Sequence, residues 1–179
     1  MKFNIKTDLV KDISNDIIII AVNDKNQING NLQLPTSTNT YLSKILLTND
    51  LGKDLGASLL VHGCSDFERI LLTRISNEKT FNTKSLIKIT SNITQVLKNL
   101  KIKKPLIPLE QFFNINIHAH SGTEFIVREL LNSNYEINSL KTIKKLSMNS
   151  QVTLHCDKNN QSDIRLGYKH GAAVANGAN

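Results

Sequence analysis

The chain has 179 residues, 40% of them apolar and 21% charged, with a net charge of +7 and two cysteines. A chain of that length buries about 70% of its unfolded surface, so neither a disulfide nor a metal is needed for folding. Two cysteines make no disulfide framework. The longest apolar run, Ile17 to Val22, is far too short to span a bilayer, and Met1 to Lys6 lacks the apolar core of a signal peptide. The expected setting is the cytoplasm, with reduced thiols and no membrane.

The elements are legible from periodicity. Phe3 and Ile5 alternate with polar neighbours and predict a half-buried strand. Ile17-Ile18-Ile19-Ile20-Ala21-Val22 is a β-branched run expected of a strand covered on both faces. An Asn-rich loop with Gly30 and Pro35 leads to a helix capped by Ser37 or Thr38, carrying Tyr41, Leu42, Ile45 and Leu46, and ending near Gly52. Two short strands follow, Ser58 to His62 and Arg69 to Ile75. After Thr83, the residues Leu86, Ile89, Ile93, Val96, Leu97 and Leu100 form an apolar stripe at helical spacing. A strand around Leu106 to Leu109 precedes Ser121 and Glu124, spaced as a capping box for a helix that buries Phe125, Val127, Leu130 and Leu131. Val152 and Leu154 mark a last strand, and a terminal helix starts near Asp163.

Alternation of this kind predicts an α/β fold, a three-layer sandwich with a mixed, largely parallel sheet flanked by helices. The Phe3-to-Ile5 strand is expected to be an antiparallel edge. Small residues at Gly171, Ala172, Ala175 and Ala178 give the terminal helix a face suited to close approach, with no following segment to cover it. The expected organisation is therefore a domain over 1–160, then the start of an interdomain helix over 161–179.

The constellations that carry chemistry are thin. His118-Ala119-His120 would set two imidazoles on one face of a strand, but without a third ligand at recognisable spacing it reads as a polar loop entering a helix. His62 and Cys64 would form a zinc set with His155 and Cys156 only if their strands were neighbours, and neither pair has the usual finger or ribbon spacing. The same residues offer a Cys–His nucleophile without a surrounding motif. There is no glycine-rich phosphate loop or nucleophile elbow. No catalytic, cofactor-binding or metal-ligating residue is therefore assigned. The lysine clusters at Lys98-Lys101-Lys103-Lys104 and Lys141-Lys144-Lys145 come without an Arg stripe or interleaved aromatics, so nucleic-acid binding is the weaker reading of the charge. Lysine, Asn and Ile together are what A- and T-rich codons produce without any binding function.

Two stretches carry a resemblance. Leu51-Gly52-Lys53-Asp54-Leu55-Gly56-Ala57-Ser58-Leu59-Leu60-Val61-His62, followed by Glu68-Arg69-Ile70-Leu71-Leu72, is similar to the N-terminal domain of the leucyl (cytosol) aminopeptidase family. Gly171 to Asn179 resembles the helix that leads into that family's catalytic domain. The chain departs from the pattern at Thr73-Arg74-Ile75-Ser76, where glycines are common, and in a shorter, more polar Lys104-to-Ser121 segment. The resemblance implies a macro-domain-like fold and a non-catalytic role in interdomain packing and oligomer assembly. It implies a parent that is a hexameric two-metal hydrolase, a metallopeptidase releasing N-terminal residues from peptides. The two divalent ions, zinc or manganese, and their Asp, Glu and Lys ligands would lie in the C-terminal catalytic domain, and no position here matches them. Macro domains bind ADP-ribose, and Asp16 with Ala21-Val22-Asn23-Asp24 faintly echoes their crevice, though only Gly30 stands where a glycine-rich loop is needed. Some bacterial members of the family bind DNA, which adds an accessory DNA-binding role as a further alternative.

Overall fold

The computed structural model describes residues 1–76, 80–134 and 150–177. Six strands, β1 (Lys2–Lys6), β2 (Ile17–Val22), β3 (Ser58–His62), β4 (Arg69–Arg74), β5 (Pro105–Pro108) and β6 (Gln151–His155), form one sheet in the order β1-β6-β5-β2-β4-β3. Helices α1 (Thr36–Leu47), α2 (Thr83–Asn99), α3 (Ala119–Asn134) and α4 (Gln161–Gly177) cover it.

Strand β2 organises the layers. All six of its side chains are buried, and they divide by the two-residue period of a strand. Ile17, Ile19 and Ala21 join a core with Leu86, Ile89 and Ile93 of α2, Ile126, Val127 and Leu130 of α3, and Ile164 of α4. Ile18, Ile20 and Val22 face the other way, onto Leu42 and Leu46 of α1 with Val10, Ile13 and Phe67. Each fully buried Ile contributes about 2 kcal/mol of transfer free energy. The expected three-layer α/β sandwich is the fold observed.

One antiparallel edge exists, but at β3 rather than β1. Strand β3 pairs antiparallel with β4, as a short connection requires, whereas β1 runs parallel to β6 with Phe3 opposite Val152 and Ile5 opposite Leu154. The helix starts also differ from the sequence pattern. Pro35 occupies the N-cap of α1, and the hydroxyls of Ser37 and Thr38 donate instead to the Asp66 carboxylate, at 2.5 and 2.6 Å. Those bonds hold the Asp66 carboxyl below its usual range. Helix α1 stops at Leu47, and Asn49 takes the left-handed position at φ 56° that Gly52 was expected to supply nearby. The Ser121–Glu124 box does not form, because a tight turn between Asn114 and Ile117 lets α3 begin at Ala119. Ser121 Oγ then donates to His118 O within the first turn.

The small face of α4 is not left uncovered. Ile164, Gly167, Gly171 and Ala175 are its buried residues, at three- and four-residue spacing, and the two glycines lie on α3. Ala172 is half-buried, and Ala178 lies outside the described residues. A Cβ on Gly167 would stand 2.3 Å from His120 O, and one on Gly171 2.5 Å from Glu124 O. Exposed apolar surface on α4 is elsewhere, at Leu166 and Val174.

Replacing Gly167 with Ala should therefore destabilise the chain by about 1–3 kcal/mol, despite alanine's better helix propensity. The same change at Gly177, which has nothing within 4 Å, should be close to neutral. Thermal unfolding followed by circular dichroism separates the two, and a neutral Gly167→Ala would refute the close contact.

Candidate functional site

In an open α/β sheet the ligand position lies beyond the carboxyl ends of the central strands. Here β2 pairs with β5 only at Ile17–Pro105 and Ile18–Leu106, so the two strands diverge and leave polar backbone of β2 facing a gap. Gln111 fills it. Its Oε1 accepts Ala21 N–H at 2.8 Å, and its Nε2 donates to Pro108 O at 3.1 Å and Ile19 O at 3.3 Å. The residue is 1% exposed, and its own carbonyl accepts from Asn29 Nδ2 at 2.7 Å.

On the other side of β2, Arg74 does the corresponding work at 4% exposure. Its guanidinium donates to Gly52 O, Leu51 O, Asn26 Oδ1 and Asn23 O, tying the loop after β2 to the loop after α1. Burial lowers the Arg74 pKa, opposed by the nearby Asp24 carboxylate. Asn26 and Asn49, both left-handed, bond to each other at 2.6 Å across the same loops.

What remains open is a cavity of about 90 Å³, lined by Thr7, Asp8, Asn31, Glu110, His155 and Asp157 among others. Small-molecule sites usually offer about 300–1,000 Å³. Three of its twelve lining residues, Asp8, Glu110 and Asp157, are carboxylates and none is a lysine or arginine, a lining that repels a diphosphate rather than attracting it. Glu110 is also engaged, accepting the Asp157 N–H at 2.6 Å.

The residues that echoed a nucleotide crevice are occupied structurally. Asp16 lies at the amino end of β2, and its Oδ2 accepts the Lys103 and Lys104 N–H groups at 3.1 and 2.9 Å. Asn23 Oδ1 accepts the N–H groups of Lys25 and Gln27, closing its own turn. His62 and Cys64 do not meet His155 and Cys156: β3 and β6 are separated by three strands, about 19 Å at ordinary strand spacing. Cys156 is a buried core residue, and Cys64 packs at the α1 face with its sulfur 3.3 Å from Thr38 Oγ1. Of the lysine clusters, Lys98 donates to Ser133 O on α3, Lys101, Lys103 and Lys104 are exposed, and Lys141, Lys144 and Lys145 lie outside the described residues.

His118 and His120 share no strand face, because His120 is already in the first turn of α3. The fold instead gives His120 two companions that sequence spacing did not assign: Glu124 one turn along α3, and His170 on α4. His120 Nε2 lies 3.0 Å from His170 Nδ1, with the rings edge-on at 84°. The His120–Glu124 interval of four was readable in the chain; the approach of a residue fifty positions away was not.

The sequence profile described as the cytosol aminopeptidase family, N-terminal domain, matches residues 18–144. The chain belongs to that family. A probable cytosol aminopeptidase of Buchnera aphidicola is 20% identical over 99% of this chain and 37% of its own length. The chain thus spans little more than a third of such a relative. Among solved structures, a mutant of tomato leucine aminopeptidase superposes with a TM-score of 0.65 at 13% identity, over 97% of this chain and 36% of that one. A macrodomain of Oceanobacillus iheyensis with ADP superposes with a TM-score of 0.74 at 11% identity, over 96% of this chain and 92% of that one. The fold of this aminopeptidase-family domain is accordingly macro-domain-like.

Two outcomes test this description of the strand ends. Gln111→Ala should cost about 2–3 kcal/mol in urea unfolding, since it strands the buried Ala21 N–H and Ile19 O; a loss below about 0.5 kcal/mol would mean the gap is satisfied some other way. For the cysteines, burial first, then Glu110 and Asp157, push the Cys156 thiol up to about 11. At pH 8 iodoacetamide should label Cys64 and spare Cys156 until the chain is unfolded. Because the raised value favours the protonated folded form, stability from Cys156 is intact below pH 9 and is lost as pH rises toward 11.

Proposed function

We propose that this aminopeptidase-family N-terminal domain is non-catalytic and serves as packing scaffold for a larger enzyme. Its partners are a C-terminal catalytic domain and neighbouring subunits of a homo-oligomer, a hexamer in the parent. The observation that carries the reading is the closure of the strand ends: Gln111 and Arg74 spend the polar groups an active or binding crevice would use. The share of its relatives that the chain spans, 37%, supports it, as do the apolar Leu166 and Val174 exposed on α4.

In this reading the parent is a metallopeptidase that releases N-terminal amino acids from peptides in the cytoplasm. Two divalent ions, zinc or manganese, supply its chemistry from carboxylate-rich motifs outside these residues. Among the described residues no helix is long and apolar enough to cross a membrane.

A second reading rests on the macrodomain superposition, since that protein was solved with ADP. An ADP-ribose module would need room and backbone donors where this chain has Gln111, a cavity of about 90 Å³ and the carboxylates of Asp8, Glu110 and Asp157. A DNA-binding accessory role rests on the family resemblance, some bacterial members binding DNA, and on the net charge of +7.

The purified chain should not hydrolyse leucine amide with manganese or zinc added, and calorimetry with ADP-ribose should give no saturable heat. Chelator-sensitive turnover would overturn the scaffold reading. Micromolar ADP-ribose binding that Asn23→Ala abolishes would replace it with the binding-module reading.

A further inference from the structure

Helices α3 and α4 approach closely at two points, and both involve the backbone of a potential metal ligand. Gly167 lies against His120 O, and Gly171 lies against Glu124 O. His170 sits between those glycines in sequence, so the contact that fixes the helix separation also delivers its imidazole to the α3 pair. His120 and Glu124 share one helix face by their four-residue interval. One ligand atom from each of the three lies within 4.8 Å of the other two.

We propose that His120, Glu124 and His170 form a binding site for a divalent transition-metal ion of the zinc type, which clamps α4 onto α3. The donor set is two imidazole nitrogens and one carboxylate oxygen, the combination borderline-soft cations prefer and oxygen-seeking magnesium or calcium do not. Two nitrogens on one tetrahedral zinc, each about 2.0–2.1 Å away, stand about 3.3 Å apart. The observed 3.0 Å between His120 Nε2 and His170 Nδ1 needs a few tenths of an ångström of opening. Without an ion, that contact survives only while one ring keeps a proton on the facing nitrogen and the other does not. A metal replaces that shared proton and uses both lone pairs, while the carboxylate offsets part of its charge. Exposed His170 leaves the remaining coordination position to water. The ion's role is structural: it fixes α4 in place against α3. The proposal stands apart from the scaffold reading, since a chain inactive toward peptides can still take up the ion.

The test uses the tag-free chain titrated with zinc chloride by calorimetry, with imidazole resonances followed by NMR and thermal unfolding measured in parallel. One ion per chain should bind saturably and raise the melting temperature, and magnesium should not compete. The His120 and His170 ring signals should shift while those of His62, His118 and His155 stay put. His170→Ala, at an exposed position, should weaken binding at least about tenfold, and Glu124→Gln should weaken it too; His118→Ala should leave it unchanged. Absence of saturable uptake, unchanged affinity in His170→Ala, or shifts confined to other histidines would overturn the site and leave only a contact between two imidazoles.

Discussion

The fold depends on burying every side chain of Ile17–Val22. A strand with no polar side chain cannot serve the backbone groups at its own carboxyl end once its neighbours diverge. Where β5 departs after Leu106, the N–H and C=O groups of Ala21 and Ile19 face protein interior, and an unsatisfied buried amide costs about 1–3 kcal/mol. Gln111 comes from beyond β5 to meet both. Arg74, the last residue of β4 in register with β2, gathers the carbonyls of the adjoining loops. The same two side chains complete the sheet at the carboxyl end of its central strand.

Helix packing on the opposite flank follows a different economy of space. Leu and Ile side chains hold α2 and α3 on the sheet through ordinary core contacts, but α4 meets α3 through glycine. At such a distance the carbonyls of α3 become the packing surface, and the side chains beside the seam are forced together. Phe3 and Tyr168, with ring centroids 5.6 Å apart, anchor the other side of α4 to β1. Helix α4 is therefore bound along its length to the same sandwich as the rest of the chain.

Layering was readable because it rests on local period. The Ile run, the α2 stripe from Leu86 to Leu97, and the Val152–Leu154 pair all fall where the structure has buried strands and helices. Pairing was less readable, since it depends on which distant strand arrives beside β1. The small-residue face on α4 was visible as a face, but periodicity does not name the partner, and that partner is α3. The two departures from the family pattern, around Arg74 and between Lys104 and Ser121, were visible as differences. They contain the two residues that close the strand ends, yet only the divergence of β5 from β2 explains why a Gln is needed there, and only the loop carbonyls beside β4 why an Arg is. His120 and Glu124 were four apart in plain view; their relation to His170 is a product of Gly167 and Gly171, of which only Gly171 belonged to the small-residue face read from the sequence.

These features divide the domain into a stiff end and an adaptable flank. At the strand ends, polar groups are saturated, buried and shared among several loops, so a ligand arriving there would have to replace hydrogen bonds already made at 2.6–3.3 Å. At the α3–α4 seam the backbone is equally fixed, but His120 and Glu124 are half-buried and His170 is exposed, with water as their alternative partner. Reorganising them costs side-chain rotation rather than loss of a buried network. Chemistry that responds to the surroundings therefore falls on the flank beside α4, while the polar groups at the strand ends are part of the frame.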